Sequence, residues 1–169
     1  MVTCGDKENA NIITIAWTGI INSDPPMTYI SVRPERYSYD IIKKSGEFTI
    51  NLVNRRLAKR CDLCGVKSGK NVDKFEACHL GKYDGVKVKC PSIAESPLSL
   101  ECKVKKIEHL GSHDMFLAEI VGVNVDEEIL TKTGKLDLKK ADLVSYSHGE
   151  YFTLSPSAIG KFGYSVKKR

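Results

Sequence analysis

The sequence predicts a mainly β protein, an antiparallel barrel with short helices at its periphery, and three observations carry that reading. The stretch "MTYISVR" at residues 27–33 alternates, with Thr28, Ile30 and Val32 on one face and Tyr29, Ser31 and Arg33 on the other. "LSLECKVKKI" at residues 98–107 alternates again, setting Leu98, Leu100, Cys102 and Val104 against Glu101, Lys103 and Lys105. "HDMFLAEIVGVNVD" at residues 113–126 is apolar on both faces, the pattern of a strand buried in the middle of a sheet. Strands outnumber helices and the links between them look like hairpins, which favours antiparallel pairing. A small barrel is filled by its own side chains, so a ligand is expected on its outside or between subunits.

Taken in order, "NIITIAW" at residues 11–17 is rich in β-branched residues and predicts the first long strand, running to the single tryptophan, Trp17. Thr18-Gly19 then reads as a turn, and Asp24-Pro25-Pro26 as a second one that sends the chain back into residues 27–33. Pro34 ends that strand, and "PERYSYDIIKKSG" predicts a short helix entered at Pro34 and closed by Gly46 in the C-cap position. "EFTINLV" is a strand with Phe48, Ile50 and Leu52 inward. "RRLAKRCDLCG" predicts a helix ending at Gly65, and "NVDKFEAC" a shorter one.

The 169 residues show no repeat and no linker, which predicts one domain over residues 1–169. No apolar run reaches the roughly 20 residues of a membrane span and no signal-peptide pattern opens the chain, so a cytoplasmic protein without membrane or nucleic-acid partners is expected. The net charge of +5 is spread along the chain, and its one dense cluster, Lys167-Lys168-Arg169, reads as a solvated tail. Scattered positive charge suits a small phosphorylated ligand. Six cysteines without a secretory signal read as reduced thiols. Cys61 and Cys64 share a helix face, which would suit a redox pair or half a zinc site, but Cys78 and Cys90 lack the spacing to complete one, so no metal is expected. The glycine-rich dinucleotide, nucleotide and serine-hydrolase signatures are all missing.

Three stretches carry candidate chemistry. Around residues 14–19, Thr14, Thr18 and the backbone of Ala16, Trp17 and Gly19 offer N–H and O–H groups to a planar, polar-edged ligand, although residue types alone favour Trp17 as a core side chain. In "SVRPERYSYD", Arg33, Arg36, Tyr37 and Ser38 collect at a strand end and helix start, where a phosphate finds N–H donors, a favourable dipole and charge. An ordinary helix start with exposed arginines would look the same. His113 in "GSHDMF" and His148 in "SYSHGEYF" offer imidazoles able to donate to a ligand oxygen or ring nitrogen, whereas His79 and His109 read as inert surface residues.

Together the stretches "NIITIAWTGIINSDPPMTYISVRPERYSYDII", "GEFTINL", "CGVKSGKNVDKF", "IAESPLSLECKV", "LGSHDMFLAEIVGV" and "YSHGEYF" resemble, in that order, the flavin reductase-like, FMN-binding split-barrel family, in particular its flavoredoxin branch. The resemblance implies a six-stranded Greek-key split barrel acting as a homodimer, with one noncovalent FMN per subunit near the interface. The family's lead-in before the first strand is expected to be missing, residues 1–4 falling within it. By the same resemblance Thr14, Ala16, Trp17, Thr18, Gly19, Asn22 and Ser23 contact the flavin ring and ribityl chain. Arg33, Arg36, Tyr37 and Ser38 hold the phosphate, and His113 lies near flavin and nicotinamide. His148 and Tyr151 reach the ligand from the C-terminal segment. The implied activity is electron transfer from NADH, NADPH or a protein donor through FMN, with a redox partner protein as a further expectation. A noncatalytic flavin-binding or interaction module on the same barrel is the alternative.

Overall fold

The computed structural model describes residues 1–155 and 157–166; the Lys167-Lys168-Arg169 cluster lies outside the described residues. The main strands are β1 (Val2–Cys4), β2 (Asn11–Ile13), β3 (Thr18–Ser23), β4 (Pro26–Val32), β5 (Glu47–Asn51), β8 (Leu98–His109) and β9 (Asp114–Val125). They form one antiparallel sheet in the order β2-β1-β5-β8-β9-β4-β3, seven strands where six were expected. Two small hairpins accompany it: β6 (Lys82–Tyr83) with β7 (Ser92–Ile93), and β10 (Val144–Ser147) with β11 (Glu150–Thr153). After β4 the chain returns so that β5 lies beside β1, a long connection of the Greek-key kind.

The two edges of this sheet, β2 and β3, are consecutive in the chain and joined only by residues 14–17. Laid flat, seven strands would separate their edges by about 29 Å at ~4.8 Å per strand. A four-residue link reaches about 18 Å at most. The sheet therefore has to curl until its edges nearly meet, and the link spans the remaining gap. This is the split of the barrel, and it makes residues 14–17 a seam rather than the continuation of a strand.

Inside the curl, Val2, Ile13, Ile30, Val32, Phe48, Ile50, Cys102, Phe116 and Ala118 form the core. Helix α1 (Tyr37–Ser45) closes it with Tyr39 and Ile42. The helix stops where Gly46 takes φ 67°, a left-handed conformation that costs glycine little, and its N–H donates to the Ile42 carbonyl at 2.8 Å. On the outer face, α2 (Ala58–Val66) and α3 (Lys74–Ala77) make a second core, with Ile12, Leu57, Cys61, Cys64, Phe75, Cys78 and Ile93. The period of two explains the division, because neighbours Ile12 and Ile13 of β2 point to opposite faces and serve different cores. A short helix α4 (Leu138–Ala141) packs with Ile129 and Leu98.

The structure corrects several local expectations. Thr18-Gly19 is not a turn but the start of β3, paired to Ile30 and Tyr29 of β4. Helix α1 begins at Tyr37 rather than at Pro34, because Arg36 keeps an extended backbone, and helix α2 runs one residue past Gly65, to Val66. Strand β5 ends at Asn51, leaving Leu52 outside it. Glu101, expected on the wet face of β8, is fully buried, and bulges at Glu101/Cys102 and Val104/Lys106 disturb the simple alternation there. The expectation for β9 stands: it pairs with β8 on one side and β4 on the other. Among the described residues no helix is long and apolar enough to cross a membrane.

Candidate functional site

Of three neighbouring cavities, the seam of residues 14–17 lines two, and the other begins at its neighbour Ile13. The first, of about 300 Å³, opens at the start of α1 and is lined by Asn11, Ile13, Glu35, Arg36, Tyr37, Ser38, Cys64, Gly65, Lys67, Ser68, Gly69 and Lys74. It brings three cationic side chains, Arg36, Lys67 and Lys74, against a single carboxylate, Glu35. Ser38 and Ser68 add hydroxyls, and the first N–H groups of a helix lack intrahelical acceptors. Ser38 is buried and accepts a hydrogen bond from Asn11 Nδ2 at 2.7 Å, so its hydroxyl is held in place.

Lys74 is the group that residue-level reading missed. It opens α3, where "DKFE" reads as a capped helix start with an exposed lysine, and Asp73 does cap the Phe75 and Glu76 N–H groups. Yet Lys74 is only 4 % exposed, and its ammonium donates to the carbonyls of Ile12 at 2.6 Å and Cys64 at 2.7 Å. Burial lowers its pKa from the usual lysine value, against the opposing pull of the Cys64 and Cys4 thiols. An ammonium has three donors and two are used within the chain, which leaves one for the cavity that Lys74 lines. Lys74 links segments 62 and 10 residues away in sequence, and only the folded chain displays that role.

Gly69 shows how closely the opposite wall approaches. A β-carbon built there would fall on the Asn11 carboxamide, itself pinned to Ser38. Gly69→Ala is therefore expected to displace Asn11 and weaken anion binding to this cavity about tenfold, with the barrel intact. Phosphate or FMN titration alongside a far-ultraviolet circular dichroism spectrum checks it.

The second cavity, of about 270 Å³, is lined by Ile13, Thr14, Ile15, Ala16, Trp17, Ser31, Val32, Arg33, Arg36 and His113. Arg36 borders both cavities, whereas Arg33 lines only this one and also pairs with Glu35 at 3.5 Å. The third, of about 510 Å³, lies beyond the seam, between Thr14, Ala16, Thr18, Leu52, Cys61, Asp62, Tyr146 and Tyr151 among others. Burial, then Cys61 and Asp62, push the Tyr151 phenol up to about 12, and its hydroxyl donates to Asp62 Oδ1 at 3.3 Å.

Trp17 is 64 % exposed, which overturns its reading as a core side chain. Its carbonyl accepts the Ser31 N–H at 2.9 Å, and its ring meets His113 edge-on with centroids 6.3 Å apart. Thr14 Oγ1 donates to the Cys61 carbonyl at 2.5 Å and Thr18 Oγ1 to the Tyr29 carbonyl at 2.7 Å. Both hydroxyls thus brace the seam and keep only acceptor capacity free. Gly19 sits in β3 over the Tyr29 ring. Asn22 donates to the Pro25 carbonyl, Ser23 pairs with Pro26, and His148 contacts Ser147; none of the three lines these cavities. His109, expected to be inert, bonds Asp114 Oδ2 at 2.9 Å.

The fold and its cavities define a split barrel with a cationic pocket leading along a backbone seam to an aromatic-rimmed cleft. Residues 1–155 match the family model described as flavin reductase like domain, and the chain belongs to that family. The flavoredoxin of Desulfovibrio vulgaris (Miyazaki F) superposes with a TM-score of 0.91 at 32 % identity, covering 98 % of this chain and 90 % of that one. The flavoredoxin from Methanosarcina acetivorans gives 0.85 at 29 % identity, with the same coverages. A protein of Archaeoglobus fulgidus, described only as uncharacterized, is 31 % identical over 150 residues, 89 % of this chain and 84 % of its own length.

Proposed function

We propose that this protein is an FMN-dependent oxidoreductase of the flavin reductase and flavoredoxin type, passing electrons from NADH, NADPH or a protein donor through noncovalently bound FMN. The observation that carries the reading is the cationic cavity at the start of α1, which shares Ile13 and Arg36 with the neighbouring cleft lined by Trp17 and His113. A monophosphate dianion matches three cations set against one carboxylate, and the neighbouring seam offers backbone groups and Thr14 to a planar ring.

FMN, when bound, supplies an acceptor for a hydride and a donor of one or two electrons. The chain's part is to bind and orient it. Arg36, Lys67, Lys74 and Ser38 hold the phosphate. The seam's backbone fixes the ring edge, where N–H dipoles favour a ring carrying negative charge. His113, held by Ser112 at 3.0 Å, stands beside the cleft as a donor to a ring or nicotinamide oxygen. A cytoplasmic homodimer completes this reading. Its support is apolar exposure beside the seam, at Trp17, Ile20 and Ile21, and in the C-terminal segment at Leu154, Ile159 and Phe162.

The visible spectrum of the purified protein, before and after FMN and then NADH or NADPH, tests the proposal. A flavin spectrum and a rise in melting temperature with FMN are expected. Flavin bleaching in stopped flow with either nicotinamide identifies a reductase; bleaching with neither leaves the protein-to-protein carrier. Protein that stays colourless and gains no stability from FMN overturns the reading.

A further inference from the structure

We propose that Cys64 and Cys78 form an oxidisable dithiol, which a peroxide reaching it through the cationic cavity converts to a disulfide, and that an occupant of the cavity shields it. The shielding clause rests on the FMN reading above; the cross-link itself does not.

The two sulfurs lie 3.8 Å apart, Cys64 near the end of α2 and Cys78 just after α3. Both side chains are buried, but Cys64 lines the cavity wall and Cys78 does not, so a small oxidant meets Cys64 first. Cys61, one helical turn earlier, belongs to the same core but lines the cavity beyond the seam rather than the cationic one, with its sulfur 3.7 Å from Thr14 Oγ1. Between Cys64 and Cys78 in the chain come Gly65, Lys67, Ser68, Gly69 and Lys74, which together make this side of the cavity. The cross-link would therefore close a loop whose own residues form the anion site.

The chemistry balances with peroxide as the oxidant. The Cys64 thiolate attacks one oxygen, the O–O bond breaks, and a sulfenic acid and hydroxide result. The Cys78 sulfur then attacks the sulfenic sulfur, the S–O bond breaks and water leaves. In sum two thiols give up two electrons and two protons, and peroxide becomes two waters. The sulfurs must close from 3.8 Å to about 2.05 Å. That draws the end of α2 toward α3, and the Lys74 ammonium, bonded to the Cys64 carbonyl, moves with it. Burial and the adjacent Cys78 thiol raise the Cys64 pKa, so the thiolate is scarce near neutral pH and the first step should quicken as pH rises.

The test treats the full, flavin-free chain with hydrogen peroxide, alkylates what remains reduced and maps the peptides. The expected product is a Cys64–Cys78 linked pair, formed at least about tenfold more slowly with saturating FMN or with inorganic phosphate, and reversed by dithiothreitol. The oxidised protein should bind FMN at least about tenfold more weakly, through the displaced Lys74. Cys78→Ser should abolish the link and Cys61→Ser should leave it. If Cys78→Ser does not fold, the wild-type map decides alone. A Cys61–Cys64 link, a sulfinic acid on Cys64 without a link, or no thiol loss overturns the proposal. A link formed equally fast with phosphate present overturns the shielding. Absence of FMN binding to the reduced protein, with the link still forming and still slowed by phosphate, refutes the cofactor reading and leaves the dithiol in place.

Discussion

Replacing Lys74 with methionine is expected to lower FMN affinity about 10- to 100-fold while leaving riboflavin affinity within about twofold. A hydrogen bond to a charged group contributes about 1.5–3 kcal/mol, and every 1.4 kcal/mol is about tenfold in affinity. Riboflavin lacks the phosphate, so the comparison isolates the phosphate contact from any general damage to the fold. The substitution also strips a donor from the Ile12 and Cys64 carbonyls, but it replaces a buried cation with an apolar chain of similar length, so the two stability effects oppose each other. The pH dependence carries a sign of its own. Burial lowers the Lys74 pKa, so its charge is lost at a lower pH than for an ordinary lysine, and FMN affinity should fall as pH rises through that lowered value. The methionine variant should lack this alkaline fall. Fluorescence titration of both ligands from pH 7 to 10 measures it, and an unchanged FMN affinity would place the phosphate elsewhere.

Glu101→Ala is expected to cost about 3 kcal/mol of stability at pH 7. Glu101 is fully buried on β8, and its carboxylate accepts from the N–H groups of Val86 at 2.9 Å and Lys87 at 2.6 Å and from Asn124 Nδ2 at 2.7 Å. Alanine would leave three donors unpaired, each worth about 1–3 kcal/mol when dry, and the total is moderated because the loop carrying Val86 and Lys87 is able to rehydrate. Burial raises the Glu101 pKa, but these hydrogen bonds outweigh it and hold the value below the usual 4.5. A depressed folded pKa gives stability that is complete above the unfolded value and is lost as pH falls through the folded one. Wild type should therefore weaken progressively below about pH 4.5, and the alanine variant should lack that part of the acid loss. Urea unfolding at pH 7 and from pH 5 to 3 decides; a variant as stable as wild type at pH 7 would mean that water already satisfies the loop.

Glu101 and Lys74 mark where sequence reading stops. Both stand in patterns that place a charge in water, an alternating strand and a capped helix start. Each is buried because partners far along the chain, Val86 and Lys87 for one and Ile12 for the other, arrive with matching donors or acceptors. Local periodicity holds no record of such partners. Trp17 fails for the opposite reason. Large aromatics are commonly buried, but Trp17 lies where the barrel's edges part, and the sheet that would cover it is not there. Tyr151, by contrast, does line a cavity, although its partner Asp62 lies 89 residues away.

The sequence by itself determined the strands β4, β8 and β9, the helix closed by its Gly46 cap, and the family, because alternation, helix caps and ordered motifs are local properties written residue by residue. Tertiary structure alone decided that β2 and β3 become the two edges of one curled sheet. Their short link thereby lines two cavities beside a third that Lys74 lines, with Cys64 beside Cys78. The physical reason is closure: only when seven strands bend to meet a four-residue link do segments distant in sequence share a wall.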